Sequence, residues 1–422
     1  MKVSIYTLGC KVNAYESEYI IDLFRKNNYE ICDFDDVCDV YIINTCTVTS
    51  NGDKKCKKMI HHARKLNPDA CLVVCGCFIE NSKDFNLDDV DIVVGNANKS
   101  KIFSFVEDFL KNKKRIVSKE DIMHAPFDEM EIDNSYNHTR AFVKIQDGCE
   151  NYCSYCIIPF VRGRCRSKVL PVAVHEIKTL VSKGFKEIVL TGIHTGNYGV
   201  EYGLRLSDLL EELVKIEGLK RLRISSIEIT ELDDGFLKML ENSIICNHLH
   251  IPLQNGSERI LKLMNRKYDK KYFLDKINKI REIRPDISIT TDVIVGFPDE
   301  TEEDFLENLD FIKKVNFSKI HTFPYSKREG TRAARMDNQI DSVTKKERVR
   351  KQIALSEYLE RKYKEQFIGK TLDVLIEKYE DGYSYGYTSN YIYLKIKKKL
   401  EPNHIYDVCI TSSEMFYDWQ VI

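Results

Sequence analysis

The chain has 422 residues, with 64 Lys and Arg against 65 Asp and Glu, a formal charge of −1. That length suits two or three domains, each burying its own core. The charge balance excludes a uniformly basic nucleic-acid binder, so any RNA affinity has to come from local patches. Fourteen cysteines would suit disulfides in a small secreted protein, but the opening Met1-Lys2-Val3-Ser4-Ile5-Tyr6-Thr7-Leu8 reads as a strand rather than a signal peptide. The longest apolar runs are too short to span a bilayer. A soluble cytoplasmic protein without membrane contact is expected, with cysteines as metal ligands, redox groups or small apolar residues. Cys32, Cys56, Cys246 and Cys409 read as packing residues.

Residues 1–117 alternate apolar runs at 3–8, 40–44, 71–74 and 92–94 with amphipathic stretches such as 15–25 and 54–66. This predicts a small parallel sheet flanked by helices. Residues 118–138 turn acidic and aperiodic, ending Asp133-Asn134-Ser135-Tyr136-Asn137, and read as a linker. Residues 139–366 hold a longer alternation, with strands expected at 142–145, 188–191, 221–226, 248–253, 287–295 and 319–325. Helices are expected at 207–214, 272–283 and 302–314. About six such units predict a full or partial parallel barrel with its chemistry at the carboxyl ends of the strands. Residues 341–370, nine Lys and Arg against five Asp and Glu, read as a solvated, mildly basic helix. From 367 to 422 the period falls to two, as in Tyr383-Ser384-Tyr385-Gly386-Tyr387-Thr388, and predicts a small β-barrel. The fold class is α/β, with an N-terminal parallel domain, a central partial (β/α) barrel and a C-terminal small barrel.

Chemistry concentrates in Asp147-Gly148-Cys149-Glu150-Asn151-Tyr152-Cys153-Ser154-Tyr155-Cys156, just past the first barrel strand. Three thiolates on one tight loop supply one ligand fewer than a structural zinc or a closed cluster takes. They suit a cubane cluster with one iron open to a small molecule; a zinc site completed by Cys165 is the alternative. A second set lies at strand ends of the first domain. Cys10, Cys46 and Cys77 each follow a predicted strand, and parallel strands gather their carboxyl ends on one edge. These three can meet and hold a second cluster, or be coincidental small residues; Cys75 is the spare candidate beside Cys77.

The central spacing, with an aromatic residue, Tyr155, before the last cysteine, resembles the radical S-adenosylmethionine enzymes. The resemblance implies a 4Fe-4S cluster whose open iron binds the amino and carboxylate groups of S-adenosylmethionine, and a reductive cleavage that yields a 5′-deoxyadenosyl radical. With the second cysteine set and the terminal module, the whole chain resembles the methylthiotransferase family. That implies two 4Fe-4S clusters, Cys149, Cys153 and Cys156 holding one and Cys10, Cys46 and Cys77 the auxiliary one. It also implies two molecules of S-adenosylmethionine, one methylating the sulfur on the auxiliary cluster and one serving as radical source, and a TRAM module at the C-terminus.

The same resemblance places cosubstrate contacts at Ser225, Ser226 and Glu228, at Gln254, and at Gly296 and Pro298. The segment 296–301 also reads simply as a strand-to-helix turn with Thr301 as cap. Arg162, Arg164 and Arg166 can neutralise a carboxylate or phosphate, or form a solvated basic loop. Tyr387 and Tyr391, followed by Lys395, Lys397, Lys398 and Lys399, read equally as stacking faces with phosphate partners or as tyrosines of a small barrel core with lysines protecting an edge. Resemblance to TRAM modules favours the first. The expected partners are a tRNA anticodon stem-loop and an electron donor such as flavodoxin or ferredoxin. Within the family, His194 and Gly196 in Leu190-Thr191-Gly192-Ile193-His194-Thr195-Gly196 resemble the branch acting on N6-threonylcarbamoyladenosine. Glycine, Cys10, Lys11, Val12 and Asn13 in sequence agree with it. The branches for isopentenyladenosine or a ribosomal-protein aspartate, and a non-enzymatic iron–sulfur RNA-binding or redox-sensing protein, stand as alternatives. No side-chain general base is legible.

Overall fold

The computed structural model describes residues 1–82, 89–135 and 138–417; Tyr136 and Asn137 of the expected linker, and residues 418–422, lie outside them. Runs of Val, Ile and Cys set the first sheet. Its strands are β1 (Lys2–Thr7), β2 (Glu30–Ile31), β3 (Val40–Thr45), β4 (Cys71–Gly76), β5 (Ile92–Val94) and β6 (Ile116–Ser118). They pair in parallel in the order β2-β1-β3-β4-β5-β6. β3 and β4 are buried along their whole length, because helices cover both faces. On one face α1 (Lys11–Lys26) and α4 (Ile102–Asn112) bring Ile20, Phe24, Ile102 and Val106 onto Val40, Ile42 and Val73. On the other, α2 (Ser50–Leu66) and α3 (Cys77–Asn81) bring Cys56, Ile60 and Ile79 onto Tyr41, Ile43 and Leu72.

The sheet runs one residue past the expected limit of 117. The described residues of the following segment lack helix and strand, but they are not a free linker. Ile122, Phe127, Met130 and Ile132 are buried, and the Met130 carbonyl accepts from Tyr15 and from Lys168 Nζ, the latter at 2.6 Å.

The second array has strands β7 (Ala141–Lys144), β8 (Gln146–Asp147), β9 (Arg166–Ser167), β10 (Glu187–Thr191), β11 (Arg221–Ile224), β12 (His248–His250), β13 (Ser288–Val295) and β14 (Lys319–Pro324). Parallel pairing gives two three-stranded sheets, β11-β10-β7 and β12-β13-β14. Single bridges, Leu222 to Ile245 and Ser226 to His250, join them. The result is one open arc of six parallel strands with β7 and β14 as free edges. Its helices are α5 (Ile158–Arg162), α6 (Leu170–Ser182), α7 (Leu206–Leu213), α8 (Asp234–Met239), α9 (Glu258–Leu263), α10 (Lys270–Ile283), α11 (Glu302–Val315) and α12 (Ser342–Glu365). α12 is less solvated than its composition suggests: Arg348, Gln352, Ser356 and Leu359 are buried, and Ser356 Oγ accepts from the Ile320 amide at 3.0 Å.

The last sheet is antiparallel, β15 (Thr371–Glu380), β16 (Tyr383–Thr388), β17 (Tyr393–Ile396) and β18 (Ile405–Cys409), in the order β17-β16-β15-β18. It has its own core of Phe367, Val374, Ile376, Ile392 and Leu394. Of the cysteines read as packing, Cys56 and Cys246 are buried, but Cys32 is half-buried and Cys409 is exposed on β18, a correction that follows from their edge positions.

Candidate functional site

The loop after β7 is shaped by backbone before any ligand is considered. Gly148 has φ +76°, and a Cβ there would strike the Arg164 carbonyl, so only glycine passes. The Cys149 amide donates to the Gly163 carbonyl at 3.0 Å, the Ser154 amide to Met264 at 2.9 Å, and the Ala333 amide to Ser154 at 2.8 Å. Asn265 Nδ2 donates to the Tyr152 carbonyl at 2.9 Å. Thus a turn after α9 and a segment beyond β14 clamp the three-cysteine loop. Burial, reinforced by Cys153 and Cys149, pushes the Cys156 thiol up to about 12. Arg266 Nη1 donates to Cys153 Sγ at 3.3 Å, and its other nitrogen pairs with Glu228. A cavity of about 460 Å³ opens against Cys153 and Cys156, bordered by Tyr152, Phe160, Thr331 and Met336.

The second set converges as the strand order requires. Cys10 caps α1 after β1, Cys46 follows β3, and Cys77 opens α3 after β4. Gly9 has φ +108°, and a Cβ on it would sit 2.8 Å from Cys46 Cβ, so the Cys10 loop crosses Cys46 only as glycine. Cys10 is an exposed residue, yet desolvation by the protein packed around its sulfur raises its thiol, with Cys77 adding to it and Arg162 opposing. Burial and Cys77 push Cys46 up to about 11. Cys75 lies inside the apolar face shared with Phe24 and Ile42, and burial raises its thiol to about 12.

Arg162 links the two sets. It ends α5, six residues after Cys156, and its side chain is fully buried. Nε donates to Cys77 Sγ at 3.2 Å, Nη2 to Asn13 Oδ1 at 2.5 Å, and Nη1 to Glu16 Oε1 at 2.7 Å and Asp147 Oδ2 at 3.2 Å. Lys99 also pairs with Glu16, and Lys144 lies 3.3 Å from Glu16 and 3.5 Å from Asp147. Burial alone would raise the Glu16 carboxyl, yet Arg162, Lys99 and Lys144 hold it well below the usual range. Arg162, Lys99 and Lys144, with Arg166 also near Asp147, outnumber the two carboxylates, and Arg162 turns that positive charge toward Cys77, which suits a cluster carrying thiolate ligands. Cys77 also packs with Ile157 and Val161, the first of which follows Cys156 directly. Among the described residues no three His, Cys, Asp or Glu gather closely enough for a single ion; a cubane spreads its thiolates wider.

Arg162 therefore answers the protein's own carboxylates rather than a ligand's. Arg166 adds a contact to Asp147 at 3.7 Å, and Arg164 is exposed.

The expected cosubstrate residues lie after successive strands. Ser225 Oγ is 3.2 Å from Thr195 Oγ1, Ser226 bridges to His250, and Glu228 holds Arg266. Gln254 has φ +67° and its amide donates to the Asp292 carbonyl at 2.8 Å. Gly296 donates to Glu300 at 2.6 Å, Pro298 is buried, and Thr301 does cap α11. Phe297 shares an apolar cluster with Tyr155, which joins that turn to the cysteine loop.

His194 lies between Glu231, which it pairs with, Asn151 at 3.2 Å and Cys165 at 3.8 Å. Burial opposes its protonation, but Cys149, Cys165 and Glu231 raise its pKa well above the ordinary histidine value. A Cβ on Gly196 would enter the Glu231 carboxylate. In the terminal sheet, Tyr387 and Tyr391 are not free faces: Arg140 stands 4.5 Å from the Tyr387 ring and Arg223 4.6 Å from Tyr391. Lys397, Lys398 and Lys399 remain exposed and Lys395 is half-buried. Glu16, Lys99 and Arg266 escaped sequence reasoning. Glu16 lies on a buried side of α1 that also carries Asn13, Ser17, Glu18 and Asp22, so no lone charge marked it in the sequence.

Six parallel strands with a three-cysteine loop after the first define a radical S-adenosylmethionine enzyme. A sequence profile of the Radical SAM superfamily matches residues 143–312, and one described as Uncharacterized protein family UPF0004 matches residues 2–95. The chain is 44% identical to the threonylcarbamoyladenosine tRNA methylthiotransferase MtaB of Bacillus subtilis, covering 94% of this chain and 90% of that one. It is 40% identical to the protein of that name from Thermotoga maritima (92% and 90% covered). It is 37% identical to the tRNA-2-methylthio-N(6)-dimethylallyladenosine synthase of Clostridium novyi (88% and 85%). Among solved structures it is similar in fold to the radical S-adenosylmethionine methyltransferase TsrM of Kitasatospora setae with cobalamin and [4Fe-4S] cluster bound. There the TM-score is 0.60 at 14% identity, over 79% of this chain and 77% of that one. The chain belongs to the radical S-adenosylmethionine methylthiotransferase family.

Proposed function

We propose that this protein converts N6-threonylcarbamoyladenosine at position 37 of tRNA into its 2-methylthio derivative. The observation that carries the reading is the pair of cysteine sets at strand ends of two separate parallel arrays, linked by buried Arg162. Relatives 40–44% identical over about nine-tenths of the chain carry that activity in their names.

Cys149, Cys153 and Cys156 hold one 4Fe-4S cluster; Cys10, Cys46 and Cys77 hold the other. When bound, the first supplies the electron that cleaves S-adenosylmethionine, and the second carries the sulfur that a further S-adenosylmethionine methylates. The chain's own residues position and shield. Arg266 donates toward Cys153 and is itself fixed by Glu228, while Arg162 donates toward Cys77 and is fixed by Glu16 and Asp147. Ser225, Ser226, Glu228, Gln254, Gly296 and Pro298 border the cosubstrate. The chain divides near 117, 138 and 366, with residues 367–422 as the RNA-contacting module. Lys397, Lys398 and Lys399 follow phosphates of the anticodon stem-loop. An electron donor of the flavodoxin or ferredoxin type reaches the loop on the side of the Phe160 and Tyr152 rings. The enzyme works in the cytoplasm, in keeping with the lack of a helix long and apolar enough to cross a membrane among the described residues.

Nucleoside mass spectrometry of tRNA from a deletion strain tests the activity. The 2-methylthio form of threonylcarbamoyladenosine should vanish and its unmethylthiolated precursor accumulate. Loss of the isopentenyl species instead would move the protein to the other branch.

A further inference from the structure

α2 carries six Lys and Arg against a single acid, Asp53, in a chain whose charges otherwise balance. Cys56, Ile60 and Ala63 form its buried side. With about 3.6 residues per turn, Lys54, Lys58, His61 and Lys65 fall in one stripe opposite them, and all four are exposed, as is Lys55. A helix face kept only for solubility interleaves acids with its lysines. Here Lys54 meets Lys57 at i+3 and Lys58 at i+4, and Lys55 meets Lys58 at i+3, all like-charge pairs that weaken a helix. Asp53 gives no relief, because Oδ1 accepts from Thr47 Oγ1 and Oδ2 from Arg328 Nη2, each at 2.8 Å. Among the described residues no carboxylate pairs with Lys54, Lys55 or Lys58.

This basic turn lies close to the chemistry. Cys56 Sγ is 3.6 Å from the Cys46 carbonyl oxygen, so residues 54–58 stand within about 10 Å, one helix width, of an auxiliary-set cysteine. Arg328 Nη2 also donates to Thr47 Oγ1 at 2.6 Å, which ties the start of α2 to the segment beyond β14. That segment borders the cavity beside Cys153 and Cys156, where exposed Arg332 and Arg335 line the rim with the Tyr152 and Phe160 rings and no described carboxylate. The terminal sheet is fixed at the other end of the strands. Arg221 Nη1 and Arg223 Nη1, at the start of β11, donate to the Tyr387 and Ser389 carbonyls at 3.0 and 3.1 Å, whereas both cysteine sets follow the carboxyl ends. RNA gripped by that sheet alone has no anchor where its base must react.

We propose that the basic half of α2, through Lys54, Lys55 and Lys58, grips backbone phosphates of the tRNA anticodon arm and anchors its loop beside the cysteine sets. The inference rests on the function proposed above, which makes tRNA the substrate. Phosphates relieve the repulsion among the lysines and carry no sequence information, so α2 positions the arm without choosing the base. An acidic electron-donor protein is the other polyanion that such a face could meet. That donor has to reach the Cys149, Cys153 and Cys156 loop, whereas α2 flanks Cys46 of the other set, which favours RNA.

Binding of a fluorescent anticodon stem-loop to the reconstituted full chain, followed across a series of KCl concentrations, tests this. Lys54→Gln, Lys55→Gln and Lys58→Gln combined should weaken binding about tenfold or more and flatten the plot of log Kd against log salt by about two, since each phosphate contact contributes about 0.7–0.9. The loss should be equal with threonylcarbamoyl, isopentenyl or no substituent at position 37, and Arg at the same three positions should keep the wild-type slope. Lys101, Lys111 and Lys114 are exposed around α4, on the other face of the same sheet; changed together to Gln, they should leave affinity and slope as in the wild type. Iron content and melting temperature should hold in every variant. An unchanged slope in the α2 variant, or an equal loss in the α4 variant, overturns the proposal. So does intact RNA binding with a fall in flavodoxin-driven but not dithionite-driven cleavage of S-adenosylmethionine, which would give the face to the electron donor. Failure of the parent function appears separately, as wild-type enzyme that binds the stem-loop yet leaves threonylcarbamoyl RNA without a methylthio group.

Discussion

Each cysteine set depends on one buried arginine, and the two arginines differ in what holds them. Among the described residues Arg266 has a single acid, Glu228, whereas Arg162 has Glu16 and Asp147, each also met by a lysine. Removing one member of such a buried set leaves charge without a partner, which costs about 3–5 kcal/mol. The sets are therefore separable at the cysteines rather than at the arginines. Reconstituted wild type should bind about eight irons per chain, and Cys10→Ala and Cys153→Ala about four each. Only Cys153→Ala should abolish 5′-deoxyadenosine formation under dithionite. Iron analysis with product chromatography reads both, and four irons in the wild type, unchanged by Cys10→Ala, would remove the auxiliary cluster. The cysteines were legible because spacing and strand ends are local properties. Arg162 was legible only as a cation, since its partner Glu16 lies 146 residues away and no local pattern couples them.

At the scale of elements, the long strands and helices declared themselves through period and composition. The helix expected at 302–314 is Glu302–Val315, and the strand expected at 287–295 is Ser288–Val295. β2 and β6, of two and three residues, were missed because, unlike the wholly apolar Ile92–Val94, each is a short run broken by a polar residue and defined by the neighbour that pairs with it. The loop after β7 is the opposite case, a motif whose shape is imposed by the backbone around it. Gly148→Ala would place a non-glycine residue at φ +76° against the Arg164 carbonyl, so the loop must move. The expected outcome is a folded chain retaining about four irons, those of the auxiliary set, with no cleavage of S-adenosylmethionine. Full iron content with normal cleavage would show that the loop tolerates the shift.

For the whole molecule, the question is what fixes the terminal sheet to the strand arc. Glu187 opens β10, Arg221 and Arg223 belong to β11, and the two arginines reach across to Asp373 and to the carbonyls of Asp373, Tyr387, Thr388 and Ser389. The sheet thus docks on the amino ends of the strands, away from the cysteine loop, and the segment expected to stack on RNA serves partly as mortar. Sequence alone gave the tyrosines two equal readings, because whether a ring meets a base or an arginine depends on docking. Burial by itself would raise the Glu187 carboxyl, but Arg223, Arg140 and Arg221 bring it down to about 2 from an ordinary value of 4.5. A depressed carboxyl contributes stability that is complete above its unfolded pKa and lost as pH falls through the folded one. The shift corresponds to about 3 kcal/mol, present at neutral pH and disappearing between pH 4.5 and about 2. Glu187→Gln should therefore melt below wild type at pH 7 and become easier to cleave by protease near residues 366–371, where the terminal sheet begins. As pH is lowered through that window the two melting curves should converge. Curves that stay parallel would mean that the arginines hold the sheet through its carbonyls alone.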